Sequence, residues 1–495
     1  MQFQIHQKIR LYLPSILLSL PIVLLFLSLD SNSGNFIKKN YFNADSFLQI
    51  REIFPHILLF AFLLLNLIFF KKKNIYLNYT SIFLFLFFLL QFIGLITAKY
   101  FDFRNEFSGG FHFLIIYLFF FNYFFFFNNY SIIKNKIDVF KIVLLSLFIS
   151  HLFLTIFFFI NTFFIFIGYP NQYGYGGYEF DYSIFGTVKK FVFNSNGISR
   201  SFLVFFIFIL CLGRNISLRL IIFLRYLLLF LLTIIIYYYQ SRFSFFSLIL
   251  ILVIYSFFNI KKESKIKVLN NLFFSFLLIF SSTLFAKGIN SHISDFKNNP
   301  IYYKEKNSFF SNLFYKKIEG PLSNIYSSKM PDRIINTESN LIIKADNFLY
   351  KNKINTYMSG RLELISLAID YLKNNKLLIL TGGGPEFDRY LVNADKKISY
   401  YKDIGNGYIN LILTGGVFLF ILFILFILNY FMSVISMFRK FHKDNFFIFS
   451  ILLVIVFLLR AIVEKSFTIW GIDMLYFFLC IFYLEVIKNK NLLFR

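Results

Sequence analysis

Apolar runs long enough to cross a lipid bilayer recur along this chain, and they decide most of what it can fold into. A membrane span needs about 20 apolar residues. Runs of that kind lie at Leu11–Leu29, Ile53–Phe70, Tyr79–Ala98, Phe111–Phe127, Val139–Gly168, Ser201–Gly213, Leu220–Tyr239, Phe243–Phe258, Val268–Ala286, Tyr408–Phe431, Phe446–Val463 and Ile469–Ile487. In hydrocarbon every backbone N–H and C=O must be satisfied within the protein, and a run of this length does that as a helix. The expectation is an all-α polytopic membrane protein with about twelve transmembrane helices. Leu11–Leu29 has no small-residue cleavage site after it, so it reads as the first helix. Ser201–Gly213 is short and must begin earlier, near Phe191, or be a half-span. Val139–Gly168 is long and must tilt or end at the interface.

The loop charges orient these spans. The formal net charge is +25 over 495 residues. In a soluble chain that would suggest nucleic acid, but no nucleic-acid motif is present, and most of the charge falls in short loops between apolar runs. With the N-terminus in the cytoplasm, Lys71-Lys72-Lys73, Lys134/Lys136/Lys141, Arg214/Arg219, Lys261/Lys262/Lys265/Lys267, Arg439/Lys440/Lys443 and Lys488/Lys490/Arg495 all fall on the inner side. The expectation is therefore a protein of the cytoplasmic membrane with both termini inside. The 78 Phe fit an AT-rich codon bias and carry no functional weight; Phe is an acceptable lipid-facing side chain. Cys211 and Cys480 lie inside apolar runs, with no disulfide framework and no zinc spacing.

One polar stretch interrupts the pattern. Lys287–Gly405 holds 18 Lys/Arg against 12 Asp/Glu, and long loops translocate regardless of charge. The division expected is spans 1–9 over residues 1–286, one large extracytoplasmic loop between helices 9 and 10 over 287–407, and spans 10–12 over 408–495. The other notable outer loop, Tyr169–Arg200, is rich in Gly, Tyr and Asn and reads as irregular.

Positive charge on the outer side runs against the orientation signal and suggests an anionic partner. The guanidinium fork matches phosphate oxygens in a way that Lys does not. The candidates are Arg200, Arg242, Arg361 and Arg460. Each has a plainer reading. Arg200 or Arg242 can snorkel to lipid head groups, and Arg460 with Glu464 can be a structural ion pair on one helix face. Arg361 sits at the start of the amphipathic run Leu362–Leu372, where the helix dipole disfavours a cation, and this suits a guanidinium and a helix N-terminus gripping one phosphate. It can also be simply exposed. Gly382-Gly383-Gly384 resembles a phosphate-cradling turn but lacks the Lys-Ser/Thr of a nucleotide loop, so it reads as a turn of close backbone approach. Glu386, Asp388 and Asp403 are candidate general bases or ordinary loop polarity. Two classes of function stay open: a glycosyl-transfer enzyme acting on lipid-linked sugar, and a transporter or flippase. No inverted pair of broken helices is visible in the sequence, which counts against transport.

Four pieces give a resemblance. They are Gln240-Ser241-Arg242 in a short outer turn; Ser359-Gly360-Arg361, a helix, then Gly382-Gly383-Gly384-Pro385-Glu386-Phe387; Asn406-Gly407-Tyr408-Ile409-Asn410-Leu411 followed by Gly415-Gly416; and Arg460 to Glu464 followed by Gly471 and Asp473. In this order they resemble the bacterial O-antigen polymerase and O-antigen ligase superfamily of membrane glycosyltransferases, over about residues 200–473. The chain departs from the ligases at Gly405, where they carry His before the Asn, and this favours the polymerase.

The resemblance implies a reaction at the outer face of the membrane. An acceptor hydroxyl attacks the anomeric carbon of an undecaprenyl-pyrophosphate-linked oligosaccharide, and undecaprenyl pyrophosphate leaves. It implies Arg361, Arg242 and Arg200 on the pyrophosphate, and a base from Glu386, Asp388 or Asp403. Gly382, Gly383, Gly384, Asn406, Tyr408, Arg460 and Glu464 would line the substrate site. Tyr173, Tyr175 and Tyr178 would stack on sugars or sit among head groups. No metal and no cofactor is expected. The implied partners are the lipid-linked oligosaccharide, membrane lipids and a chain-length regulator, with no nucleic acid.

Overall fold

The computed structural model describes residues 56–68, 77–105, 108–134, 171–173, 177–184, 187–212, 219–238, 242–260, 361–394, 404–442, 444–465 and 472–493, with isolated positions at 143 and between 273 and 284. The expected first span and most of the expected spans 139–168 and 268–286 lie outside the described residues. So does most of the large polar loop. The chain divides into two compact units, one drawn from Tyr41–Leu152 and Arg361–Arg495, the other from Phe153–Gly360.

The first unit is helical throughout its described residues. Its elements are α1 (His56–Ile68), α2 (Tyr79–Tyr100) and α3 (Ser108–Lys134). The second unit holds β1 (Asn171–Tyr173), β2 (Gly177–Ile184), β3 (Thr187–Asn194), α4 (Ser195–Leu212), α5 (Arg219–Tyr238) and α6 (Arg242–Ile260). The first unit then resumes with α7 (Arg361–Asn374), α8 (Lys376–Thr381), α9 (Phe387–Ala394), α10 (Gly407–Phe441), α11 (Asn445–Arg460) and α12 (Ile472–Leu493). Among the described residues three helices are long and apolar enough to cross a membrane: α2, residues Gly110–Asn129 of α3, and α10. Shorter apolar helices match other expected spans, namely α1, α11 and the apolar stretches of α4, α5 and α6. Helix α4 starts at Ser195, while Phe191, where an earlier start was expected, lies in β3, and the apolar stretch of α4 is Phe202–Cys211.

Burial separates two faces on these helices. On α10, Phe418, Ile421, Leu425, Leu428, Met432 and Ile435 are exposed at steps of three and four, one stripe of a 3.6-residue helix. On α2, Ile82, Phe85, Leu89, Ile93 and Ile96 do the same. Apolar stripes of this length would be a liability in water and are ordinary against lipid. Helix α12 has no such stripe: Met474 to Leu484 is buried on every side, as a central helix is. Aromatic rings fill the space around it. Phe83 stacks on Phe426 with centroids 4.2 Å apart, and Phe127 lies 4.9 Å from Phe482.

Helix ends in this unit are closed by side chains. Asn78 caps α2 by accepting from Ser81 N at 2.9 Å. Asp444 caps α11 by accepting from Phe446 N at 2.8 Å. Glu485, near the end of α12, accepts from Thr80 N at the start of α2. Lys488 donates to Ser433 Oγ, late in α10. The start of α2, the far end of α10, the start of α11 and the far end of α12 therefore lie at one end of the bundle. The opposite end gathers Arg104, the chain around Gly382–Asp388, Asn406 and the segment after Arg460.

Two expectations need correction. The stretch Tyr169–Arg200 is not irregular. It carries a three-stranded antiparallel sheet in the order β1-β2-β3, with Gly177 opposite Asn194 and Ile184 opposite Thr187, and then runs into α4. Val, Phe, Tyr and Thr dominate β2 and β3, and these residue types favour extended backbone. The chain is thus all-α in its bundle and not in this segment. Second, the large loop is not one separate body. Its last part, from Arg361, belongs with the bundle. Leu364, Ala368 and Leu372 form one face of α7 and pack with Leu378, Phe387, Leu391 and Ile404 against Ala98 of α2 and Leu413 of α10.

In the second unit, Arg225 lies within the apolar helix α5. It donates to Ile209 O at 3.2 Å and to Leu210 O at 2.7 Å. These carbonyls belong to the last turn of α4, which has no intrahelical donors left for them. The arginine completes that helix end, where the dipole favours a cation.

Candidate functional site

The sequence Asn375-Lys376-Leu377-Leu378-Ile379-Leu380-Thr381-Gly382-Gly383-Gly384 folds into a short helix and a turn that dip into the bundle. Helix α8 packs against α10 and α2. What receives it is a break in α10. Gly416 has φ 73° and ψ −176°, so the helix cannot continue its hydrogen bonds across that point. A side chain there would sit against Leu380 O, and φ is in the left-handed region, so the position needs glycine. The break frees the carbonyls of Leu413 and Thr414, and the turn satisfies them. Gly383 N donates to Leu413 O at 2.7 Å, and Gly384 N to Thr414 O at 2.9 Å. Irregular backbone at span depth is tolerated where protein buries it. On the other side, a Cβ at Gly94 of α2 would lie 2.6 Å from Thr381 O and 2.9 Å from Gly384 N.

This changes the reading of the triplet. Gly382 N donates to Leu378 O, so all three amides are engaged by protein carbonyls. Gly382, Gly383 and Gly384 splice the dipping segment into the bundle; they do not cradle a phosphate. The close approach expected of them is to the backbone of α10.

Asn406 and Tyr408 have a similar part. Asn406 caps α10, accepting from Ile409 N at 2.9 Å, and its amide donates to Ile462 O at 2.7 Å. Gly407 N donates to Ala461 O at 2.7 Å, and Tyr408 Oη donates to Leu458 O at 2.7 Å. These groups fasten the start of α10 to the last turn of α11, whose carbonyls need outside donors. Gly405 has φ 65°, in the left-handed region that glycine adopts freely.

The charged side chains are held by this frame. Arg460, at the end of α11, is buried and donates through Nε to Glu464 Oε2 at 2.8 Å, with a second contact from its other nitrogen. The ion pair four residues apart is present. Next to it, Lys465 pairs with Asp388 at the start of α9, and neither side chain is more than 4% exposed. Arg389 donates to Glu386 Oε2 at 2.6 Å. Arg104, buried in the segment after α2, donates to Pro385 O at 2.6 Å. Four cations and three carboxylates thus gather around the turn, where few were expected from any single motif.

Glu386 stands out among them. It has φ 59°, a strained backbone for a side chain of its size. Its side chain is 13% exposed. Oε2 takes Arg389, while Oε1 is buried with no hydrogen-bond partner among the described residues. Burial raises the Glu386 carboxyl above its ordinary value, and Asp388 adds to this, against the lowering pull of Arg389 and Lys465. A carboxylate with a raised pKa and one open oxygen is equipped to take a proton.

The bundle supplies two polar neighbours that the sequence did not single out. Tyr117 of α3 lies within electrostatic reach of Glu386, Asp388 and Arg389, and beside Gln91 of α2. Lys465 and Arg104 were also missed. Both sit on the outer side of the expected topology, so the same charge argument that selected the arginines would have found them. Gln91 and Tyr117 had no such signal, because a lone polar residue inside an apolar run is common.

Arg361 opens α7 and Arg242 opens α6, but their side chains lie outside the described residues. Arg200 is a half-buried residue of α4 in the second unit. Asp403 lies outside the described residues, as do Tyr173, Tyr175 and Tyr178 as side chains. Among the described residues no three His, Cys, Asp or Glu side chains gather as metal ligands.

Comparison of the chain with protein-family models, with curated proteins and with solved structures finds no match in any of the three.

Proposed function

We propose that the chain is a membrane glycosyltransferase, a surface-polysaccharide polymerase that joins undecaprenyl-pyrophosphate-linked repeat units at the outer face of a bacterial cytoplasmic membrane. The observation that carries this reading is the Glu386 carboxylate, with one buried open oxygen, set among Arg104, Arg389, Arg460 and Lys465 at one end of the bundle. In the reaction, an acceptor hydroxyl oxygen attacks the anomeric carbon and its proton passes to Glu386 Oε1. The bond from that carbon to the pyrophosphate oxygen breaks, and the electron pair leaves on undecaprenyl pyrophosphate. The leaving group is already good, so the protein has to hold the reactants together and balance the charge that builds on the departing oxygen. Cations serve the second need, and Arg361 remains our choice for direct phosphate contact. Asp403 stands as the alternative base.

The polymerase is preferred to the ligase because Gly405 stands where the ligases carry histidine. One observation favours a transporter instead. Helix α10 is broken at Gly416, and broken helices line substrate sites in many transporters. The surface glycan of a deletion strain separates the readings. A glycan of single repeats supports the polymerase. Lipid-linked polymer that never reaches its final acceptor makes the protein a ligase, and loss of all exported glycan makes it a flippase.

A further inference from the structure

Among the described residues, Asp102 and Glu386 have a left-handed backbone without being glycine. Asp102 stands exposed in the turn after α2, where a short polar side chain tolerates that conformation. Glu386 is mostly buried, and nothing in its own side chain favours φ 59°. Strain of this kind persists only where the surroundings over-determine it. The contacts that do so lie on both sides of the residue. Before it, Arg104 Nη1 donates to Pro385 O at 2.6 Å, and a Cβ at Gly384 would lie 2.7 Å from Leu95 Cα. After it, the buried Phe387 ring lies against Gly383, and Asp388 pairs with Lys465. Glu386 O accepts from Arg389 N at 3.1 Å and from Tyr390 N at 3.2 Å, so the residue also opens α9. The use of charged groups here is informative. A buried ion pair adds little net stability, and apolar residues of the same volume often do as well. What the pair adds is a fixed direction for the chain.

We propose that Arg104 and Lys465 are positioning residues for Glu386: acting through Pro385 O and Asp388, they hold its backbone in the conformation that keeps Oε1 open for the acceptor proton. The inference rests on the glycosyl-transfer reading and deepens it. Arg104 follows α2 and Lys465 follows α11, so two elements far apart in sequence set one residue of the dipping segment. Each acts on the chain within two residues of Glu386, and neither needs to touch substrate. Arg389, which bonds Oε2 directly, fixes the carboxylate within that frame. Asp388 is the link on one side and the Pro385 carbonyl on the other.

The test uses the full-length protein in detergent with lipid-linked repeat units as substrate. Four proteins are compared: wild type, the apolar pair Asp388→Leu with Lys465→Met, Glu386→Gln, and all three substitutions together. Transfer by the wild type, slowed in Glu386→Gln, establishes the underlying reading by itself; no transfer, or a normal rate in Glu386→Gln, removes that reading and the inference with it. Given that, the apolar pair is expected to melt with the wild type or above it, yet to lower kcat roughly 10²-fold, the loss for a catalytic group misplaced by about 1 Å. KM should stay within about twofold. In the Glu386→Gln background the same pair should cost less than about twofold more, because a residue that acts through another then has nothing to act on. Wild-type kcat in the apolar pair would make the ion pair a stabilising contact only, and would overturn the proposal. An equal loss in both backgrounds would overturn it as well, since a general loosening of the bundle gives that result. If the apolar pair does not fold, Arg104→Met runs the same cycle from the other side of Glu386, with the same outcomes.

Discussion

Replacing Lys465 with methionine isolates the contact that joins the dipping segment to the end of α11. Asp388 is 0% exposed and the Lys465 side chain 4%, so neither charge has water to fall back on. Breaking such a pair from one side leaves a buried carboxylate alone. The cost is about 3–5 kcal/mol, because the attraction is lost while the desolvation remains. That is roughly a 10²–10⁴-fold fall in the folded population relative to the unfolded one. Replacing both partners with apolar residues of similar volume, Asp388→Leu with Lys465→Met, removes the desolvation as well. It should recover most of the loss and can exceed the wild type. The assay is reversible unfolding in mixed detergent micelles followed by circular dichroism, for wild type, both single variants and the double. If Lys465→Met melts with the wild type, the pair is not buried in the way described. If the double variant is no better than the singles, the stability does not come from the pair's charges.

Gly416→Ala should destabilise the bundle by more than about 1–2 kcal/mol, since an alanine at this left-handed φ is strained and its Cβ meets Leu380 O; protease resistance in detergent is the readout. Glu386→Gln should leave stability at pH 7 unchanged or raised. A carboxyl with a raised folded pKa opposes folding once ionised, so the gain should be fully present above the folded pKa and vanish below the unfolded value of about 4.3. Arg361→Ala should lower turnover by roughly 10²–10³ if it grips the leaving pyrophosphate, with partial recovery in Arg361→Lys; Arg333→Ala, in the same loop and outside any motif, should be tolerated, and polymer length at matched expression decides.

What was legible in the sequence followed from lipid as the solvent. The apolar runs at Tyr79–Ala98, Phe111–Phe127 and Tyr408–Phe431 had to be helices, and the described structure has helices there. Arg460 and Glu464 were readable as a pair because four residues is one helical turn. Leu364, Ala368 and Leu372 follow the same period, so the face of α7 was readable too. What was not legible depended on tertiary contact. Nothing local says that Gly383 and Gly384 will donate to carbonyls freed by a break thirty residues later. The glycines of both stretches were visible, and their partnership was not. Asn406 and Tyr408 stood as ligand groups only through the resemblance; their partners are carbonyls at the end of α11, which only the fold brings near. The sheet in Asn171–Asn194 was hidden by the glycines of its first turn, which suggested irregular chain. Gln91 and Tyr117 were hidden by the apolar residues around them.

The account rests on Glu386 taking the acceptor proton, and one measurement addresses that directly. Purified protein in vesicles is supplied with radiolabelled lipid-linked repeat units, and product length is read on a gel. The wild type should build a ladder of repeats and release undecaprenyl pyrophosphate in step, with the rate falling as pH drops through a value above the ordinary carboxylate range. Glu386→Gln, shown to be folded by its melt, should slow the ladder by roughly 10²–10⁴-fold and lose that acid limb. A full ladder at the normal rate from Glu386→Gln would contradict the account, and so would a wild type that carries lipid-linked repeats across the bilayer and never joins them.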